Sequence, residues 1–183
     1  MKTECIEPKV KVVILVTGSI AAVRIPLLVS QLVKENFEIK CVLSKNAEKL
    51  IKPLSLSILS RNSCIVENDQ WNNHQSTPLH IDLCNWADIL IIAPLTATTL
   101  SKWITGNADG LIPSILIANN KPIIVAPAMN TQMWLNHAVQ LNYSNLKKYR
   151  NVLSLQPSEG VLACDEIGIG KLPPNDLIQL AID

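Results

Sequence analysis

Three stretches of this sequence could hold a phosphate. Thr17-Gly18-Ser19-Ile20 sets a glycine, a hydroxyl and backbone N–H groups at the start of a helical pattern. Unpaired N–H groups and the helix dipole at such a point favour an anion. Pro94-Leu95-Thr96-Ala97-Thr98-Thr99 adds three hydroxyls. They read either as a helix cap or as phosphate ligands. Leu43-Ser44-Lys45 brings a hydroxyl and a cation, with no acid there for a ribose. The first turn also lacks G-x-G-x-x-G, so the pattern points to a mononucleotide rather than a dinucleotide.

Other residue types could do acid–base or sulfur chemistry. His80 opens His80-Ile81-Asp82-Leu83, and imidazole exchanges protons near neutral pH. Read alone, a single histidine is as readily structural. His80, Asp82 and Cys84 do not have a standard zinc spacing, and no C-x-x-C pair occurs, so no metal site is expected. His74 and His137 carry no motif. Met129, Met133 and Trp134 read by themselves as helix packing. Cys164 follows Leu162-Ala163, whereas Cys5, Cys41, Cys64 and Cys84 read as small hydrophobes. Gly168-Ile169-Gly170 is a weak phosphate-loop signal, because no strand pattern precedes it.

The elements that must position these residues alternate between strand and helix. Strands are expected at Val10–Thr17, Phe37–Leu43, Asp88–Ala93 (ended by Pro94), Lys121–Ala126 and Val152–Leu155. Helical spacing covers Ile20–Glu35, with Pro26 imposing a kink or a late start, and Ala47–Leu59, broken at Pro53. It recurs at Thr96–Ile104, Leu111–Ala118 and Asn130–Tyr149. Ser60–Leu79 is polar and reads as one long irregular loop. Such alternation predicts a parallel sheet with helices on both faces, with ligands bound beyond the carboxyl ends of the strands. The candidate phosphate residues all follow strands.

Bulk properties limit the function classes. The chain's 183 residues suit one domain, and 48% apolar content supplies one core built mainly from aliphatics, since only 4% is aromatic. Sixteen basic residues against fifteen acidic ones leave a net charge of +1, so no field steers nucleic acid or an anionic membrane. The start of the chain has no apolar signal core, and no apolar run is long enough to span a bilayer. A cytoplasmic protein with free thiols is expected.

Taken together, the motifs resemble those of the homo-oligomeric flavin-containing cysteine decarboxylases. The resemblance runs from Val10 to about Pro173. It rests on Thr17-Gly18-Ser19-Ile20-Ala21-Ala22, on His80-Ile81-Asp82-Leu83, and on Trp86-Ala87-Asp88 leading to Ile92-Ala93-Pro94-Leu95. Pro127-Ala128-Met129-Asn130-Thr131-Gln132-Met133-Trp134 is its most specific block, followed by Gly160-Val161-Leu162-Ala163-Cys164 and Gly168-Ile169-Gly170.

The resemblance implies a flavodoxin-like (Rossmann-type) three-layer α/β fold over residues 1–183, with a substrate flap around 156–174. It implies FMN as cofactor, held by Gly18, Ser19, Ile20, Ser44, Thr96, Ala97, Thr98, Thr99 and Ala128. His80 matches the catalytic histidine, Asn130 the asparagine that holds the substrate carboxylate, and Cys164 the cysteine of the flap. Met129, Met133 and Ala163 match substrate-contacting positions. A homo-oligomer, a trimer or an assembly of trimers, is implied, with the active site shared between protomers.

Intact Leu162-Ala163-Cys164 favours 4′-phosphopantothenoylcysteine as substrate and a fully reduced product. The alternatives are a peptidyl-cysteine substrate, or a flavoprotein that has lost catalysis and regulates a partner. Three positions depart from the family pattern: Thr98 and Gly110 stand where it has asparagine, and Asp165 stands where it has glycine. Aspartate is among the better replacements if that last position needs a positive φ.

Overall fold

The computed structural model describes residues 8–72 and 76–182; Cys5 and His74 lie outside them. Six strands form one sheet: β1 (Lys11–Val16), β2 (Glu38–Leu43), β3 (Ile65–Val66), β4 (Ile89–Leu95), β5 (Ile123–Pro127) and β6 (Val152–Ser154). Their order is β3-β2-β1-β4-β5-β6, and every neighbouring pair is parallel. The chain winds outward in both directions from β1 and β4. The carboxyl ends of that pair are therefore the switch point where such sheets bind ligands.

Alternation along β1 builds both layers at once. Val12, Ile14 and Val16 face one side of the sheet, and Val13 and Leu15 face the other; all five are fully buried. The first side is covered by α1 (Ile25–Lys34) and α2 (Pro53–Ser60), through Ile25, Leu28, Val29, Leu32 and Leu56. The opposite side is covered by α3 (Leu79–Trp86), α4 (Ala97–Ile104), α5 (Leu111–Ala118), α6 (Thr131–Leu135) and α7 (His137–Leu146). This is the helix-covered parallel sheet that the alternation predicts, and the flavodoxin-like three-layer fold that the resemblance implies.

The late helix start implied by Pro26 is present: a 3-10 turn covers Ile20–Arg24, and α1 begins at Ile25 with Pro26 in its first turn. Proline belongs there because the first turn has no partner for its missing N–H. Other local expectations need correction. Pro94 does not end the third long strand. The ladder shifts register between Ile92 and Leu95, and pairing resumes at Leu95 with Pro127. Asn130–Tyr149 is two helices, because Asn136 is extended and caps α7, its Oδ1 accepting from the Ala138 N–H at 2.9 Å.

The polar stretch after Ser60 holds an edge strand, β3, a 3-10 turn at Glu67–Trp71, and the start of α3. Gly168-Ile169-Gly170 is not a phosphate loop. It lies in β8 (Ile167–Lys171), which pairs antiparallel with β7 (Ser158–Val161) as a separate hairpin. A last helix, α8 (Asn175–Leu180), buries Ile178 in the α1 layer.

Candidate active site

Gly18 is the tightest point of the first strand-end turn. A Cβ at Gly18 would stand 2.5 Å from the Asn46 Cβ, so only glycine lets the β1 and β2 turns close on each other. Ser19 caps the following 3-10 turn, its hydroxyl accepting from the Ala21 N–H at 3.4 Å. Ser44 does the same for the β2 turn, accepting from the Ala47 N–H at 3.3 Å.

Thr17 is buried at the centre of the switch point. Its Oγ1 donates to the Pro94 carbonyl at 2.6 Å and accepts from the Thr96 N–H at 3.1 Å. That pair of bonds ties β1 to the end of β4. Thr96 then caps α4, accepting from the Thr99 N–H at 3.4 Å with the Thr99 hydroxyl 3.2 Å away. The helix-cap reading of this segment therefore holds, and the same residues border a cavity.

That cavity, about 500 Å³, spans the carboxyl ends of the strands. Gly18, Ser19, Ser44, Thr96, Ala97, Thr98, Thr99 and Ala128 all line it, with Met129, Asn130 and Met133. Ile20 does not; it lines a neighbouring cavity of about 380 Å³. Hydroxyls, N–H groups at the start of α4 and the Lys45 side chain suit the larger cavity to a phosphate, whereas the Lys102 charge on its wall is met by Asp109.

Part of this wall, Glu67, Lys102 and Asp109, carries no motif in the sequence. Lys102 Nζ is 2.7 Å from Asp109 Oδ2, and that hydrogen bond and charge hold the Asp109 carboxyl below its usual range. Glu67 Oε1 accepts from the Leu111 N–H at 2.7 Å, capping α5. Gly110, at φ +116°, makes room for it, since a Cβ there would lie 3.0 Å from Glu67 Oε1. Where the family pattern has an asparagine side chain, this chain brings in a carboxylate from the β3 edge. Nothing in the polar stretch around Glu67 marks it, because the contact spans 44 residues.

The second cavity adjoins the first and shares Ser19, Ala128, Met129 and Asn130 with it. Its roof is the β7–β8 hairpin, contributing Val161, Leu162, Ala163 and Cys164. Asn130 stands between the two cavities. It caps α6, its Oδ1 accepting from the Gln132 N–H at 2.8 Å. That bond turns Nδ2 toward the hairpin, 3.6 Å from Cys164 Sγ and 3.4 Å from Glu166 Oε2. Asp165, between those two residues, has φ 60°, the left-handed conformation that aspartate tolerates.

His80 is not brought to this centre. It lies in the first turn of α3 and lines neither cavity. Among the described residues no cluster suits a metal ion, and no helix is long and apolar enough to cross a membrane.

A doubly wound sheet with hydroxyl-rich turns at its switch point, beside a hairpin-covered apolar cavity, defines a doubly wound α/β protein with two adjoining cavities at its strand ends. A family model described as Flavoprotein matches residues 2–183, and this chain belongs to that family. It is 34% identical over 169 residues to phosphopantothenoylcysteine decarboxylase of Mus musculus, covering 91% of this chain and 82% of the mouse protein. It is 35% identical over 171 residues to the coenzyme A biosynthesis bifunctional protein CoaBC of Bacillus subtilis. That match covers 93% of this chain but only 42% of the relative's length. Among solved structures, a cysteine mutant of PPC decarboxylase complexed with pantothenoylaminoethenethiol superposes with a TM-score of 0.84 at 32% identity, covering 96% of this chain and 97% of the other. The FMN-dependent cysteine decarboxylase SpaF gives a TM-score of 0.77 at 28% identity, covering 95% and 98%.

Proposed function

We propose that this chain binds FMN and decarboxylates 4′-phosphopantothenoylcysteine to 4′-phosphopantetheine, a step of coenzyme A synthesis. The observation that carries this reading is the shared wall between the cavities. Asn130 lines both, and it faces Cys164 of the hairpin at 3.6 Å. The relatives' names supply the reaction class, and the chain's own residues supply the parts that the reaction needs.

In this reading Gly18, Ser19, Ser44 and the Thr96–Thr99 segment hold the mononucleotide, with Ala128 packed on it, and Ile20 meets it from the second cavity. The bound flavin supplies two-electron oxidation of the substrate's thiol-bearing carbon and later returns those electrons. The thioaldehyde so made is an electron sink β to the carboxylate, which lets CO2 leave. Asn130 orients that carboxylate. An amide does so without a permanent ion pair that would oppose departure of CO2. Met129, Met133 and Ala163 enclose the cysteinyl end. Cys164 gives the proton that the decarboxylated carbon needs, and a thiol is acidic enough to do so.

His80 acts on the substrate thiol as the proton-exchanging group, and it does so from a neighbouring protomer. Its position away from both cavities supports a shared active site. So does an exposed apolar stripe on the α1–α2 layer, where Leu27, Leu54 and Ile58 are each more than two-thirds exposed. The assembly is a trimer or a set of trimers. Residues 1–183 act as one cytoplasmic flavin-binding unit, with the β7–β8 hairpin as its flap.

The test is to denature the purified protein, identify the released cofactor, and assay CO2 from 4′-phosphopantothenoylcysteine. FMN with CO2 release is the expected result. Release of CO2 only from a cysteinyl peptide would reassign the substrate. FMN without any decarboxylation would restore the reading of a lapsed, regulatory flavoprotein.

A further inference from the structure

The Asn130 amide has only one free direction. Its Oδ1 is committed to the Gln132 N–H at 2.8 Å, so Nδ2 must face the hairpin. There it meets a carboxylate, Glu166 Oε2, at 3.4 Å and a thiol, Cys164 Sγ, at 3.6 Å; these two are themselves 3.6 Å apart. A donor read as the holder of a substrate carboxylate is therefore facing a carboxylate of the protein's own.

We propose that Glu166 is a positioning residue of this site. It stands in for the substrate carboxylate on Asn130, yields to it, and returns once CO2 has gone, carrying Cys164 to the carbon that must be protonated. This deepens the decarboxylase reading and rests on the roles given there to Asn130 and Cys164.

The local backbone makes the two flap side chains travel together. The Leu162 N–H donates to the Glu166 carbonyl at 2.9 Å and the Asp165 N–H to the Leu162 carbonyl at 3.1 Å, closing a tight turn around Cys164 and Asp165. Left-handed Asp165 sits between the carboxylate and the thiol. The base of the hairpin is anchored, since the Met129 N–H donates to the Gly170 carbonyl at 2.9 Å. The anchor lies at the base of the hairpin, away from the tip that bears both groups.

Charge sets the order of events. Two carboxylates cannot both crowd one amide N–H without like-charge repulsion. An arriving substrate carboxylate therefore displaces Glu166, and the turn takes the Cys164 thiol away with it. Loss of CO2 removes the competitor. Glu166 regains Asn130, and Cys164 comes to the place that the carboxylate left, beside the carbon from which CO2 departed. The S–H bond then breaks as a C–H bond forms at that carbon. A bound reduced flavin would supply the hydride that the sulfur-bearing carbon then needs, and water reprotonates the Cys164 thiolate. The thiol is withheld until decarboxylation is complete.

The experiment compares wild type, Glu166→Gln and Glu166→Asp as FMN-loaded proteins. In a single turnover, with FMN-loaded protein in excess over substrate, the share of product leaving as the unsaturated enethiol, which lacks two hydrogens of the saturated thiol, is read by mass spectrometry. That share should rise about tenfold in Glu166→Gln and fall back toward wild type in Glu166→Asp, on the strength of a charge-assisted contact. In binding, an analogue with serine in place of the substrate cysteine is titrated against its decarboxylated counterpart. Glu166→Gln should bind the carboxylate-bearing analogue roughly three- to tenfold more tightly and leave the other unchanged. Equal product partition in all three proteins overturns the proposal, as does an equal shift for both analogues. Absence of CO2 from wild type would instead overturn the decarboxylase reading, and the analogue titration would still decide Glu166.

Discussion

Gly170 lies flush against Met129: a Cβ on Gly170 would stand 2.1 Å from the Met129 carbonyl oxygen, and the Met129 N–H donates to the Gly170 carbonyl at 2.9 Å. Gly170 also has φ +144°. The hairpin that bears Cys164 is therefore mounted on the segment that bears Asn130 through a contact only glycine permits. Gly170→Ala should lift β8 from that segment. Turnover should fall about tenfold or more, as expected for an angstrom-scale misplacement of a reacting group. FMN should stay bound, because Gly170 does not line the larger cavity. Cofactor absorbance, with hydrogen exchange across residues 158–171, checks both halves.

Thr17 predicts a stability effect at the switch point. Thr17→Val keeps the shape but leaves the buried Pro94 carbonyl and Thr96 N–H without the hydroxyl that serves both. The loss should be about 1–3 kcal/mol by urea denaturation. Thr17→Ser should recover most of it. An unchanged midpoint in the valine variant would mean that these groups find other partners.

His80→Asn should reduce CO2 release by about a hundredfold or more while the flavin spectrum is unchanged. Gly18→Ala forces its Cβ against Asn46 and should lose the cofactor instead. Co-assembled, the two inactive variants should regain part of the activity, because some interfaces then pair an intact His80 with an intact Gly18 turn. No recovery in verified mixed assemblies would place histidine and cofactor in one protomer.

Thiol reactivity should separate the cysteines. Burial, then the neighbouring Asp69 and Glu48 charges, pushes the Cys64 thiol up to about 12. Burial likewise raises Cys41 and Cys84, and Cys84 also donates to the Ile115 carbonyl at 3.6 Å. These three stay protonated near about pH 8, with Cys41 and Cys84 buried and Cys64 half-buried, whereas Cys164 is exposed. Brief iodoacetamide treatment followed by peptide mapping should find Cys164 labelled first of the four cysteines among the described residues. Early labelling of Cys64 would show that the β2–β3 edge opens in solution.

The long β-branched runs of β1, β4 and β5 were legible because a strand buried on both faces is apolar throughout. Their ends marked the phosphate-type residues, since ligand sites follow strand ends in such sheets. Short elements were not legible. Ile65–Val66 is too brief to show a period, and α3 begins inside a polar stretch with a Pro78 cap that carries no side-chain bond. Gly168 and Gly170 read as loop because they lack side chains, yet β8 needs them. A Cβ at Gly168 would lie 2.3 Å from Thr131 Oγ1, just as one at Gly170 would strike Met129.

The sequence by itself determined the layered α/β plan, the glycine- and hydroxyl-bearing turns at Gly18, Ser44 and Thr96, and the amide, thiol and carboxylate types at Asn130, Cys164 and Glu166. Each of these is written in local order, as strand period, turn glycine or short motif. Only the tertiary structure decided that Asn130 meets Cys164 and Glu166 across 34 and 36 residues, that Glu67 caps α5 through the space left by Gly110, and that His80 stands apart from both cavities. Those relations depend on how a hairpin packs on a helix cap and how an edge strand reaches the opposite layer. No local pattern records such distances, because many sequences with the same periods could pack those elements differently.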